Sequence, residues 1–259
     1  MRNDAINEVE DNIPSQNSIL INYNYDSSNT LIATFNSISD TNQFCNNHNH
    51  DNNYNGLKLG QRIQINDGTY NKIWYIAGFD CEYNNVASDC TIKNNGYGIC
   101  LVPTTSLISA QWNPTNTTSR GYYGSSIHNL CNTTIGPNLK YILGSHLITR
   151  NVLITNSVTN NGSSVNYTWS TTNCILLNKV AIEGTYLTSD SKVKYNTGEL
   201  SYQLPIFRFI SRYFLNGTWL RSVSSSAGST TADYVGSYAS ITNDLTSSIH
   251  SVFPLIYIR

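Results

Sequence analysis

Apolar and polar positions alternate along this chain at two periods, and the shorter one dominates. In "SILINYNYDSSNTLIATF" the alternation through Ile21, Asn22, Tyr23, Asn24 and Tyr25 breaks at "DSSN", which predicts a short β-hairpin or two edge strands. "KIWYIAGFD" (residues 72–80) and "GYGICLVP" (residues 96–103) are short, rich in aromatic and β-branched residues, and bounded by Gly, Asn and Pro, the pattern of central strands. Helical spacing occurs in "GSSIHNLCNTTIGPNLKYILGSHLI". There Ser125 or Ser126 caps a short helix carrying Ile127 and Leu130, and Gly136 and Pro137 interrupt and restart it with Leu139, Ile142 and Leu143 on one face. "RNVLITNSV", "NCILLNKVAIEG", "QLPIFRFI" and "VFPLIYI" return to short apolar runs between polar turns. The class predicted is α+β, strand-dominated, with two short helices on one side of a sheet, not alternating βαβ.

Residues 1–20 lack any period, carry the acidic "NEVEDN", and read as a flexible arm or attachment segment ahead of one domain over 21–259. The apolar fraction of 39% over 259 residues is enough for a substantial core. Only 12% of residues are charged, Tyr outnumbers Phe by 18 to 7, and Asn is about one residue in seven, so the surface is built from amides and hydroxyls. A net charge of -1 without a Lys/Arg cluster argues against nucleic acid as a partner. No run reaches the eighteen or so apolar residues of a membrane span, which argues against membrane insertion. "MRNDAINEVEDNIPSQ" has no apolar core after a basic region, so no secretion signal is expected. Without export, Cys45, Cys81, Cys90, Cys100, Cys131 and Cys174, irregularly spaced and never C-x-x-C, read as free and mostly buried thiols, the Cys81, Cys90, Cys100 cluster being the nearest to a disulfide candidate. Sequons at Asn116, Asn132, Asn161, Asn166 and Asn216 are what chance supplies in a chain this rich in Asn, Ser and Thr.

Catalytic motifs are missing: there is no G-x-S-x-G, P-loop, H-E-x-x-H or Rossmann glycine fingerprint, and the carboxylate pairs Asp233 with Asp244 or Asp80 with Glu82 have no supporting spacing. The sharpest metal candidate is "CNNHNHDN", where His48 and His50 at i, i+2 share a strand face and Cys45 or Asp51 could complete a Zn or Ni site. The Asn-rich context argues instead for a surface loop, and no second ligand pair is identifiable. Asn243 with Asp244 is too small an oxygen cluster for calcium. No metal, cofactor or catalytic residue is therefore expected.

Seven fragments, "WYIAGFD", "NNGYGICLVP", "WNPTNTTSRGYYGSSIHN", "LGSHLITRNVLITNSV", "QLPIFRF", "WLRSV" and "SVFPLIYIR", resemble in order and spacing a domain common in phage and prophage proteins of gut bacteria. That family has a C-type-lectin-like fold, akin to formylglycine-generating enzymes and to the variable proteins of diversity-generating retroelements, and the resemblance covers about residues 56–259. Three departures stand out. Members end in Gly-Val-Arg-Pro where this chain has Ser251, Val252, Phe253 and Pro254; they carry an acid where it has Ser222; and a frequent Glu is replaced by Lys179. The cysteine pair that holds copper in formylglycine-generating enzymes has no counterpart, since only Cys174 lies beyond Cys131.

The resemblance implies that Trp219, Leu220 and Arg221 anchor a strand in the core, with Arg221 bonded to backbone carbonyls or a carboxylate, and that the small residues from Ser222 to Thr231 lie flat along an exposed edge. It implies a display surface beyond, with Tyr234 and Tyr238 standing proud and Asp233, Ser237, Asn243 and Asp244 beside them, in the Tyr/Ser/Asn chemistry of antibody loops and sugar sites. The function implied is a non-enzymatic phage virion protein, a head fibre, decoration protein or tail-tip adhesin, assembled in the host cytoplasm. Its partners would be other virion proteins, further copies in a homo-oligomer, and a glycan or protein of the host surface or mucus. A purely structural virion component whose lectin-like face packs against neighbouring subunits is the alternative, and a bacterial surface protein or hydrolase the third reading.

Overall fold

The computed structural model describes residues 24–81, 98–159, 164–183, 203–223 and 229–259. The arm assigned to residues 1–20 lies outside them, as do Glu82 and Cys90.

Among the described residues the strands form three sheets. The largest orders its strands β1-β2-β3-β4-β13-β8, with β1 (Leu31–Phe35), β2 (Arg62–Asn66), β3 (Asn71–Phe79), β4 (Ile99–Pro103), β8 (Ile175–Leu176) and β13 (Pro254–Ile258). The two runs predicted as central strands, β3 and β4, are central and antiparallel, with Tyr75 opposite Val102. Every residue of β4 and of β13 is buried, as continuous apolar runs require of strands covered on both faces. The second sheet runs β11-β10-β9-β12-β5, with β5 (Ile108–Gln111), β9 (Thr218–Val223), β10 (Thr231–Val235), β11 (Ile241–Leu245) and β12 (Ile249–Val252). The third is the hairpin of β6 (Arg150–Val158) and β7 (Ser164–Thr172). β12 and β13 belong to different sheets and are separated only by Phe253, so the C-terminal run stitches the two large sheets together. One cluster of buried apolar residues extends from Phe35 to Ile258.

Four local outcomes depart from the sequence reading. "DSSN" does turn, with Ser28 N and Thr30 N donating to the Asp26 carboxylate at 3.0 and 2.9 Å, but its flanks do not form a hairpin. Tyr25 bridges Leu59 and β1 pairs with β2, both in parallel, so the edge-strand alternative is the one that forms. A helix unforeseen in the pattern, α1 (Ile38–Asn47), is capped by Ser37, which accepts from Asp40 N, and buries Thr41, Phe44 and Cys45. The predicted helix pair is a single helical run. α2 (Ser126–Leu130), capped by Ser125 through His128 N at 3.1 Å, passes through a π-turn at Cys131–Ile135 directly into α3 (Gly136–Leu143). Gly136 keeps helical angles, and it is glycine for space: a Cβ there would sit 2.5 Å from Asn173 Oδ1. "NCILLNKVAIEG" yields only the two residues of β8 before a short helix, α4 (Lys179–Glu183), and "QLPIFRFI" makes a 3-10 turn at Pro205–Arg208. Among the described residues no helix is long and apolar enough to cross a membrane.

Candidate functional site

Strand β9 is fixed in the core by its two apolar side chains. Trp219 and Leu220 are fully buried; Trp219 Nε1 donates to Ala110 O at 2.9 Å, and Trp112 Nε1 donates to Leu220 O at 3.1 Å. Arg221 differs from its expectation. Its backbone N–H donates to Leu177 O at 2.9 Å, but Nε and both Nη atoms have no hydrogen-bond partner among the described residues, and the guanidinium lies buried in the field of the Tyr122 hydroxyl. The departures at Lys179 and Ser222 meet each other: Lys179 N donates to Ser222 Oγ at 3.1 Å, a neutral bond where the resemblance implies acidic side chains. Phe253, in the place of the implied arginine, is buried edge-on to Phe214 at 6.1 Å.

The six residues of the implied display surface do not form one site, because a strand sends alternate side chains to opposite faces. Tyr234 does not stand proud. It is half-buried and stacked on His250 (4.3 Å, 22° between planes), with Trp219 edge-on to the same imidazole at 4.5 Å. Asp244 joins this wall, its Oδ2 2.8 Å from His250 Nε2. Burial pushes the Asp244 carboxyl up, but the bonds from His250 and from Leu245 N–H outweigh it and leave the group below the usual carboxylate range. Asp233 pairs across the ladder with Asn243 and points the other way, toward Lys179 and Glu183; burial lifts it to about 6, eased by Lys179 and reinforced by Glu183. Asp233 and Asp244 are thus not a carboxylate pair. Ser237 and Tyr238 occupy an exposed turn, where Tyr238 is 86% exposed with φ at 62°.

The metal candidate disperses. Cys45 is buried on α1, where burial pushes its thiol up to about 12. His48 packs on Phe44 at 4.7 Å and its Nδ1 lies 3.2 Å from Tyr54 O. Of the four side chains only His50 and Asp51 come together, at 3.5 Å, and no group of three metal-ligating side chains converges among the described residues. His50 also faces Asp80 at 4.0 Å, and that carboxylate accepts from the Tyr54 hydroxyl and from Gly98 N, so the segment works as a loop lock. Cys45, Cys81, Cys131 and Cys174 are buried free thiols, and Cys100 is buried as well.

Among the described residues a concave feature lies elsewhere, between the start of α2 and strand β7. A cavity of about 720 Å³ is walled by Tyr123 and Trp169, with Asn129, Asn132, Ser170 and Thr171 among its polar groups. A second cavity of about 210 Å³ runs along the loop from Asn113 to Ser119, and the two share Arg120, Gly124 and Ser126. The walls are fixed from beneath. Ser126 N donates to Asn113 Oδ1 at 2.8 Å, and Asn113 Nδ2 donates to Thr117 O at 2.7 Å. His128 Nδ1 lies 3.0 Å from Tyr123 O, and its Nε2 lies 3.4 Å from Ser170 Oγ. Burial pushes the imidazole below its usual range, which keeps it neutral, with Nδ1–H donating to the carbonyl and Nε2 accepting from Ser170. Ser170 is only 8% exposed in the floor strand, so the pair serves as a brace, not a presented nucleophile. Asn132 Nδ2 donates to His128 O at 2.8 Å and its Oδ1 accepts from Thr172 Oγ1 at 2.7 Å, completing the floor.

What is left over above that floor is chemically specific. Tyr123 is half-exposed, and the exposed Arg120 makes no ion pair or side-chain hydrogen bond among the described residues. Ring faces, free donors and amides in one trough suit a polyhydroxylated ligand. The sequence reading missed this site. "SRGYYGSSIHN" was legible as a cluster of Arg, Tyr and amides, but its other wall lies 42 residues further on, at Ser170.

The chain is thus a strand-dominated α+β protein with a polar, aromatic-walled trough. No family model, no curated protein and no solved structure matches it.

Proposed function

We propose that this is a non-enzymatic phage virion protein, a head fibre, decoration protein or tail-tip adhesin, whose C-type-lectin-like domain binds a saccharide of the host surface or mucus in the trough beside α2 and β7. The observation that carries the reading is the trough itself: about 720 Å³, within the range of small-molecule sites, with two aromatic walls and the exposed Arg120 guanidinium over a rigid floor. Tyr and Trp rings stack on sugar faces while amides and hydroxyls bond to sugar hydroxyls. The seven ordered fragments resembling the phage family support the virion assignment, and with it assembly in the host cytoplasm among other virion proteins.

A second reading, packing against neighbouring subunits in a homo-oligomer, is favoured by a different surface. Tyr213 (59% exposed) and Tyr238 sit on two turns that pack together, and Phe209, stacked on Tyr25 at 5.0 Å, is also exposed. A glycan array with the full chain separates the two. Reproducible binding that Tyr123→Ala abolishes supports the trough; silence across host polysaccharides together with Tyr238-dependent self-association in sedimentation supports the structural role.

A further inference from the structure

The two cavities of the trough meet at one residue, and that residue is its cation. Arg120 lines both, together with Gly124 and Ser126. Among the described residues no Asp or Glu lines either cavity, and burial keeps the His128 imidazole neutral, so Arg120 is the charge that the described lining carries. Its position is built. A Cβ at Gly124 would lie 2.4 Å from Arg120 Cβ and 2.9 Å from Nε, so glycine there is what lets the arginine side chain lie along the trough. Its guanidinium carries five N–H donors and meets no carboxylate or carbonyl of this chain among the described residues.

From this arrangement we infer that the ligand is a linear anionic saccharide, with one sugar in each cavity and its carboxylate or sulfate held by Arg120 at their junction. The inference rests on the saccharide reading and deepens it. Planar guanidinium groups recognise oxyanions by paired charge-assisted hydrogen bonds, the strongest polar contacts such a site can offer. A neutral sugar would leave the guanidinium facing only hydroxyls. The two-lobed shape asks for at least two linked residues, since the smaller cavity lies beyond Arg120 along the loop from Asn113 to Ser119.

The test uses the full chain and a panel of oligosaccharides in matched forms: oligogalacturonate and hyaluronan fragments as free carboxylates and as methyl esters, heparin fragments with and without their sulfates, and neutral glucans. At least one anionic form is expected to bind about tenfold or more tightly than its neutralised partner, with affinity falling as salt is raised. Arg120→Gln should erase that difference while leaving the melting temperature unchanged, and Arg120→Lys should restore only part of it. The carboxylate and sulfate arms identify which oxyanion is read. Equal binding of charged and neutralised forms, or binding of neutral glucans alone, overturns the anionic inference and leaves the saccharide reading standing. No binding to any member of the panel overturns both.

Discussion

Two regions of this protein are built from nearly the same side chains, and only one of them is open for a ligand. On the second sheet, Trp219, Tyr234, His250 and Asp244 close on one another: the rings stack, the indole bonds to Ala110 O, and the imidazole bonds to a carboxylate. Beside α2, Trp169, Tyr123, His128 and Arg120 are arranged around a hollow, with the histidine satisfied beneath it and the exposed guanidinium satisfied by nothing in the described chain. Composition alone ranks the two alike. What separates them is whether each polar group has already found a partner, since a satisfied cluster is scaffold and an unsatisfied one is available.

The largest expected effect tests the closed half. Trp219→Ala should destabilise the fold by about 3 to 5 kcal/mol, as large-to-small changes at fully buried positions do, measured by denaturant unfolding. A loss below about 1 kcal/mol would mean that the wall is not core.

The two carboxylates of this sheet should then behave with opposite sign. Asp233, lifted by burial to about 6, favours its protonated form in the fold; its contribution is fully present below the unfolded value near 3.8 and is lost as pH rises through 6. Asp233→Asn should therefore match wild type near pH 3.5 and exceed it in stability above pH 6.5, by on the order of 2 to 3 kcal/mol. Asp244 is held low, so its bond to His250 stabilises above the usual carboxylate range and is lost as pH falls through its folded value. With its side chain about a third exposed, Asp244→Asn should cost less than about 1 kcal/mol at neutral pH and nothing in acid. Thermal melts of both variants between pH 3 and 8 check the crossover, and parallel profiles would refute the opposed placement of the two groups.

The two tyrosines implied as one display pair should also separate. Tyr234→Ala, losing ring contacts to His250 and Trp219, should destabilise by about 1 to 2 kcal/mol. Tyr238→Ala, at an exposed turn, should stay within about 0.5 kcal/mol of wild type. Calorimetry of the single variants decides it, and equal losses would put Tyr238 into the wall.

Much of the fold was legible because long apolar runs leave little choice. β3, β4, β6 and the C-terminal strands follow directly from β-branched and aromatic runs bounded by turn residues. Where local signals competed, the reading failed for identifiable reasons. Ile38–Asn47 offered Phe44 and Cys45 as its only strongly apolar buried positions, too weak a stripe to be seen without the packing of Thr41, whose hydroxyl donates to Ile142 O across the fold at 3.1 Å. Gly136 and Pro137 looked like a helix break because the π-turn at Cys131–Ile135, which runs directly into them at the start of α3, has no sequence signature of its own. Whether Tyr234 stands outward or packs inward was not settled by alternation alone: His250, on which it stacks, comes from another strand. The trough needed two walls brought together from residues 120–132 and 169–171, and no local pattern reports such a meeting.

The central claim, that the trough and not the Tyr238 turn meets the ligand, is tested most directly by adsorption of the purified protein to host cells or mucin. Wild type should be compared with Tyr123→Ala/Asn129→Ala and with Tyr238→Ala, after calorimetry has shown all three folded. Loss of trough contacts should weaken adsorption by roughly thirtyfold, on the order of 2 kcal/mol, since a few aromatic and polar anchors carry most of a recognition energy, and Tyr238→Ala should adsorb like wild type. Full adsorption by the trough variant, with loss confined to Tyr238→Ala, would contradict the account.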